Sequence, residues 1–422
     1  MMNHDSAPTP IASPAQEADA MRPEREQRHY KIAYCTPALY MAGGVERVLT
    51  LKANYLADRL GHDVTIILTE GAGKPLFYPL SPRVRVVQLA LGFEQLWHLS
   101  FWQKIPVYLL KQWRYRRRLS RELLRLRPDI TVSLLRREVN FIGSIADGSR
   151  KIGELHVNRA HYRNFETDDA GWVRRTFARW WMHRLEGHLA RLSRLVVLTP
   201  DDASAWTMLT HVDVIPNPLA IAPAAASALT ARRIVVVGRY SHEKGFDLLL
   251  QAWQQVQQAR PDWRLDIFGD GDRQPYELMA RRLGLDDTRC RLHGRTTHVE
   301  AELMQSALSI CSSRFEGFGM AIAEAMACGV PVVSFDCPWG PRNIITHDVD
   351  GLLVPPADAS ALAQAVVDLT GDQQRLAAMG AHARRNMQRF AIDNVMAQWQ
   401  QLFDSVMDSP SPQTRLQPCN RP

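Results

Sequence analysis

The sequence predicts an α/β protein of two similar halves, each a parallel β-sheet with crossover helices. Three observations carry this. The chain has 422 residues, too many for one ordinary core and suited to two domains of moderate size, which imply a cleft between them. Short β-branched runs alternate with helix-length amphipathic segments through nearly the whole ordered region, the signature of parallel strands joined by helices. No period of about 20 to 50 residues recurs, which excludes a solenoid.

Residues 1–28 are rich in Pro, Ser, Ala and charge without hydrophobic period and read as a disordered tail. HYKIAYCTP follows as a strand, MAGG as a turn, and VERVLTLKANYLADRLG as a helix whose apolar side holds Val45, Val48, Leu49, Ala53, Leu56 and Leu60. DVTIILTE, VRVVQLA, DITVSLL, KIGELHV and SRLVVLTP continue the strand series. After VDVIPNPL, the stretch IAPAAASALTA has no core pattern of its own and marks the linker, so the first domain spans 29–228 and the second 229–385. The second series runs RRIVVVGRY, a helix from Gly245 to Arg260, RLDIFGDG, a helix to Leu283, RCRLHGR, a short helix, LSICSSR, a helix from Met320 to Cys328 and PVVSFD. Final helices from about Ala359 to Phe403 carry Trp399, Leu402 and Phe403, and residues 386–407 are expected to pack back toward the first domain. Residues 408–422 form a second disordered tail.

Composition narrows the function class. Apolar residues at 46% and charged residues at 23% are those of a soluble globular protein. The N-terminal stretch lacks the apolar region of a secretory signal, and no apolar run approaches the roughly 18 residues a spanning helix needs. Six cysteines without metal-ligand spacing fit reduced thiols in the cytosol. The net charge of +7 points to an acidic partner. From Leu91 to Arg127, nine Lys or Arg stand against two Glu, interleaved with aromatic residues including Trp113, and WVRRTFARWWMHR at 172–184 forms a second such cluster.

Ligands of doubly wound sheets bind beyond the carboxyl ends of strands, so the loops there carry the candidates. After the first strand, Gly43 and Gly44 open a helix whose N-terminus suits an anion, or simply make a tight turn. No G-x-G-x-x-G is present for a nicotinamide cofactor. In Gly238-Arg239-Tyr240-Ser241-His242-Glu243-Lys244-Gly245, Arg239 and Lys244 suit a diphosphate as a fork and a point charge, or are a pair of solvated surface charges. Asp270 and Asp272 make a D-x-D triplet that suits either a divalent cation or a helix cap, and Asp348 and Asp350 make another. In SRFEGFGMAIAEAMACGVPVVSFD, Glu316 precedes a helix, Gly317 and Gly319 expose backbone donors, and Glu324 lies about one turn in, so both acids can face one ligand over the helix N-terminus. Gly329 before Pro331 terminates that helix.

These motifs in this order resemble the retaining glycosyltransferases of family four, the glycosyl transferases group 1, over nearly all of residues 30–405. The resemblance implies the GT-B fold, two facing Rossmann-like domains with the donor in the cleft between them. It implies that Arg239 and Lys244 hold a nucleotide sugar's diphosphate, that Glu316, Gly317, Phe318 and Gly319 contact the transferred sugar, and that Glu324 binds the ribose. Gly43 and Gly44 would close over the diphosphate, His156 would stand near the reacting sugar, and Gly238, Gly269, Arg295 and Met320 complete the donor site. The catalytic set so implied is Glu316, His156, Arg239 and Lys244. A lone histidine after a strand is equally a packing or capping residue.

The expected chemistry is retaining hexosyl or N-acetylhexosaminyl transfer, without cofactor or metal, from a nucleotide sugar to a lipid-linked saccharide, lipopolysaccharide or exopolysaccharide. DCPWGPRNII at 336–345 resembles members that use UDP-sugars. The acids are better explained by hydroxyl recognition than as the close pair a glycosidase needs. Trp113, Arg114, Arg116, Arg117 and Arg118 suggest an interfacial helix, hence peripheral attachment to the inner face of the cytoplasmic membrane, although an ordinary solvated basic helix has the same composition. Two alternatives stand beside this reading: a GT-B nucleotide-sugar epimerase, and a basic nucleic-acid-binding protein, for which no reading module is evident.

Overall fold

The computed structural model describes residues 28–98, 100–159 and 172–409. The two expected tails fall outside these residues except at their inner ends, where Arg28 meets Asp408 at 2.5 Å. The basic cluster at 172–184 is described as backbone, with most of its side chains outside the described set.

The first lobe is a seven-stranded sheet of β1 (Lys31–Thr36), β2 (Asp63–Leu68), β3 (Arg85–Gln88), β4 (Ile130–Ser133), β5 (Arg150–Glu154), β6 (Arg194–Val197) and β7 (Val212–Val214), in the order β3-β2-β1-β4-β5-β6-β7. Its helices are α1 (Gly44–Asp58), α2 (Phe101–Leu126), α3 (Trp172–Leu189) and α4 (Pro200–Ala205). The second lobe has β8 (Arg233–Val237), β9 (Arg264–Phe268), β10 (Cys290–His293), β11 (Leu308–Cys311), β12 (Val332–Phe335) and β13 (Gly351–Val354), ordered β10-β9-β8-β11-β12-β13. It is covered by α5 (Phe246–Ala259), α6 (Gln274–Arg282), α7 (Val299–Met304), α8 (Met320–Ala327), α9 (Ala359–Gly371) and α10 (Gln373–Asn386). A last helix, α11 (Ile392–Asp408), follows.

All strand pairings between named strands are parallel. Helices cover both faces of such sheets, which is why the central strands β4 and β12 are buried at every residue. The order reverses between β1 and β4 in one lobe and between β8 and β11 in the other, and at these switch points the following loops diverge and leave a crevice.

The chain crosses between lobes twice. The Ala- and Pro-rich stretch after β7 is tied to the second lobe: Ser227 donates to the Ser306 carbonyl at 2.7 Å, its own N–H reaches Cys328 O at 2.8 Å, and Leu229 is buried in that lobe's core. The return leads into α11, whose Val395, Met396, Trp399, Leu402, Phe403 and Val406 are buried among Ile32, Leu56 and Ile66 of the first lobe. Tyr55 and Tyr30 donate to Asp393 and Asp404, both at 2.6 Å. The two crossings touch each other, with Leu219 N–H donating to Phe390 O at 2.8 Å.

Since Trp399 is 1% exposed, Trp399→Ala is expected to cost about 3–5 kcal/mol in urea unfolding. A cost below about 1 kcal/mol would mean that α11 is not part of the first lobe's core.

Candidate active site in the interlobe cleft

A cleft of about 1040 Å³ lies between the lobes, lined by loops that follow β1, β5, β8, β9, β10 and β11. Of the residues singled out from the sequence, Gly44, His156, Gly238, Arg239, Lys244, Gly269, Arg295, Glu316, Gly317, Phe318, Gly319, Met320 and Glu324 all line it. Gly43 is the residue before α1 and is not among the lining residues, and the α2 residues Trp113 and Arg116 to Arg118 lie away from it.

Close backbone packing shapes the second lobe's wall. A Cβ on Gly269 would sit 2.0 Å from Gly238 O, so the loops after β8 and β9 touch through glycines. Gly245 adopts φ +60°, and a Cβ there would lie 2.1 Å from Ser312 O. Arg314 forks onto Asp247 at 2.8 and 2.7 Å, and Ser312 Oγ donates to Lys244 O at 2.8 Å. These contacts lock the loop after β8 to the loop after β11, and they bring Lys244 Nζ to 2.5 Å from Glu316 Oε1, which also accepts from Ser313 at 2.6 Å. Burial pulls the Lys244 ammonium down, but the Glu316 carboxylate outweighs it and its pKa is raised. The sequence assigned these two residues to different parts of a ligand, whereas in the structure they form one ion pair. Arg239 is exposed at the rim.

Helix α8 follows its N-cap Gly319, φ +103°, which offers no side-chain cap; Ile322 and Ala323 N–H bond back to Gly319 O at 3.0 and 3.1 Å, and Met320 and Ala321 of the first turn line the cleft. Glu324, buried in this helix, accepts from Arg47 Nη1 of α1 at 2.7 Å. Burial raises the Glu324 pKa, and Arg47 opposes that rise. Two further contacts join the lobes here. A Cβ on Gly317 would stand 2.6 Å from His156 O, and Asn158 Nδ2 donates to Glu316 O at 3.3 Å. The Arg295 guanidinium lies 4.6 Å from the Phe77 ring centroid.

His156 Nε2 lies 3.0 Å from Glu154 Oε1, and Lys52 Nζ lies 2.6 Å from the same oxygen. Burial works to raise the Glu154 pKa, but Lys52 and His156 prevail and hold it down at about 2.

Asp270 and Asp272 are engaged with their own turn, accepting from Gly271 N and Gln274 N at 2.9 and 3.0 Å. The residue before α6 is Arg273, without a side-chain cap, and it is Asp272, one position earlier, that accepts the N–H of the helix's first residue, Gln274. Among the described residues no group of three or more His, Cys, Asp or Glu is placed to hold a metal ion.

Arg47, Phe77 and Glu154 escaped the sequence reading. Arg47 had a findable signal: it sits three residues after Gly44, on the helix turn that opens at the cleft. Phe77 lies in a loop without periodicity, and Glu154 reads as one polar residue in a strand.

Residues 231–372 match the family described as glycosyl transferases group 1. The chain is 36% identical over 223 residues to an exopolysaccharide phosphotransferase of Streptomyces coelicolor, which covers 51% of this chain and 24% of the relative. It is 25% identical over 374 residues to an uncharacterized glycosyltransferase of Haemophilus influenzae, covering 87% of this chain and 98% of that one. The chain thus spans about a quarter of the first relative and almost all of the second. The crystal structure of a mutant of S. aureus TarM in complex with fondaparinux, alpha-GlcNAc-glycerol and UDP is similar with a TM-score of 0.70 at 15% identity, over 89% of this chain and 100% of that one, a likeness of fold.

Arg47→Met leaves Glu324 buried without its counter-charge, and a loss of about 3 kcal/mol is expected in urea unfolding at pH 8. A carboxyl whose folded pKa is raised loses stability as pH climbs from its unfolded toward its folded value, so the loss should shrink at pH 5, where the proton removes the need for a partner. An equal loss at both pH values would overturn this assignment.

Proposed function

We propose that this chain, whose residues 231–372 match the glycosyl transferases group 1 and whose fold is GT-B, is a retaining hexosyltransferase or N-acetylhexosaminyltransferase that uses a nucleotide sugar. The observation that carries this is that Arg239, Lys244 and the N-terminal residues of α8 line one cleft together with Glu316 and Glu324 at the second lobe's switch point. Cations and helix N–H groups favour a diphosphate, and the carboxylates accept from hydroxyls.

In this reading the bond from the sugar C1 to the diphosphate oxygen breaks as C1 bonds the acceptor oxygen on the same face, and the acceptor's proton passes to the departing phosphate. Charge building on the diphosphate is met by Arg239, Lys244 and α8, so the step calls for no metal. Lys244, held at 2.5 Å by Glu316, is aimed before the donor arrives, which removes reorganisation from the step. UDP is favoured as the nucleotide because the TarM complex contains it. An extracellular polysaccharide, lipopolysaccharide or other lipid-linked saccharide is the acceptor class, in keeping with the exopolysaccharide relative.

Helix α2 supports docking on an anionic membrane surface. Its inner stripe, Tyr115, Leu119 and Leu123, is buried, while Ile105, Leu109, Trp113 and Leu124 are 44–61% exposed on the outer face beside Arg116, Arg117 and Arg121. Arg117 lies 4.6 Å over the Trp113 ring. Arg118, although exposed, is held by Leu89 O and Ala90 O. No helix among the described residues is long and apolar enough to cross a membrane.

With UDP-sugars and a lipid-linked saccharide, acceptor-dependent UDP release is expected, falling about 100-fold or more in Lys244→Ala. Donor isomerised without acceptor would point to an epimerase instead. Arg116→Glu with Arg117→Glu should abolish flotation with phosphatidylglycerol vesicles, and unchanged flotation would end the membrane proposal.

A further inference from the structure

Glu154 ends β5 at the sheet edge that faces the cleft, two residues before His156, yet it is 2% exposed and itself reaches no ligand site. Its Oε1 takes both Lys52 Nζ at 2.6 Å and His156 Nε2 at 3.0 Å, while Oε2 is buried without a hydrogen-bond partner among the described residues. Lys52 lies in the middle of α1, 1% exposed, with its ammonium 3.6 Å from the centroid of the Trp399 ring of α11 and 5.7 Å from that of Tyr34.

Two removed charges of this kind gain little over apolar residues of the same volume, so stability alone does not account for the pair. Its chemical effect falls on the histidine. A carboxylate can only accept, so the proton shared with Glu154 belongs to Nε2, and in the neutral ring Nδ1 is then the acceptor. Lys52 keeps Glu154 ionised, and the aromatic faces of Trp399 and Tyr34 cover the ammonium where water would otherwise sit.

We propose that Glu154, charge-balanced by Lys52 beneath Trp399, is a positioning residue that fixes His156 in its Nε2–H form, so that Nδ1 accepts a hydrogen bond from a hydroxyl in the cleft. The hydroxyl belongs to the transferred sugar or to the acceptor. This inference rests on the transferase reading, and it makes a helix returning from the other lobe part of the histidine's support.

Two measurements test it. Imidazole nitrogen NMR on the histidine-labelled full chain, with the His156 signal identified by its loss in His156→Ala, should show the Nε2–H form. An Nδ1–H ring would overturn the proposal whether or not any donor is turned over, so its failure is separable from that of the transferase reading. The second measurement is a mutant cycle. Lys52→Met with Glu154→Met replaces the ion pair by apolar volume and should lower kcat about tenfold, the worth of one well-placed hydrogen bond, while the donor KM stays within about twofold. In the His156→Ala background the same pair should cause no further loss, because its effect runs through the ring. An additive loss would assign Lys52 and Glu154 a merely structural role. Should the double variant not fold, the NMR result on the unaltered chain still decides.

Discussion

The cleft is set by one backbone contact, that of Gly317 against the His156 carbonyl. A single methyl group on Gly317 would stand 2.6 Å from that oxygen, so the two sheet edges approach as closely as they do only because one residue has no side chain. The rest of the site follows from this spacing. Asn158 reaches Glu316 O, Arg47 reaches Glu324, and Arg295 reaches Phe77, each from the opposite lobe. Were the lobes held a few ångströms further apart, these groups would face water and the loops would no longer form common walls.

Charge in the walls is largely matched before any ligand arrives. Lys244 is paired with Glu316 and Arg47 with Glu324. Because desolvation offsets most of the attraction in such pairs, they contribute more to where each side chain points than to net stability. In the proposed reading an incoming dianion with hydroxyls would exchange partners with them, its phosphate oxygens replacing the carboxylate on the lysine and its hydroxyls the guanidinium on the glutamate. Buried pairs near a ligand are thus stand-ins for it, made of the same donors and acceptors.

Much of the fold was legible in the sequence because parallel strands buried on both faces leave apolar runs, such as IVVV before Gly238. The second lobe's candidate residues were legible for a related reason. Strand ends are easy to locate, and chemistry in such sheets collects just beyond them. What could not be read was pairing. Nothing in the local pattern of GELHV announces that its glutamate meets a lysine 102 positions earlier, nor that Arg47 spans the cleft to a residue 277 positions away. Such contacts are set by how two lobes are docked, a relation that no periodicity encodes. The face of α2 was half legible: its basic and aromatic content was plain, but not that local carbonyls hold Arg118.

The double passage of the chain between lobes constrains how the cleft can open. The outgoing segment near Leu219 and the incoming turn at Phe390 are hydrogen-bonded side by side, and Phe390 packs edge-on against Phe318 with ring centroids 5.2 Å apart, beside the glycines of the cleft. Two leaves pinned at adjacent points can swing about the line through them but cannot slide or twist freely. Any opening of the cleft would therefore be confined to a swing about the paired crossing at Leu219 and Phe390.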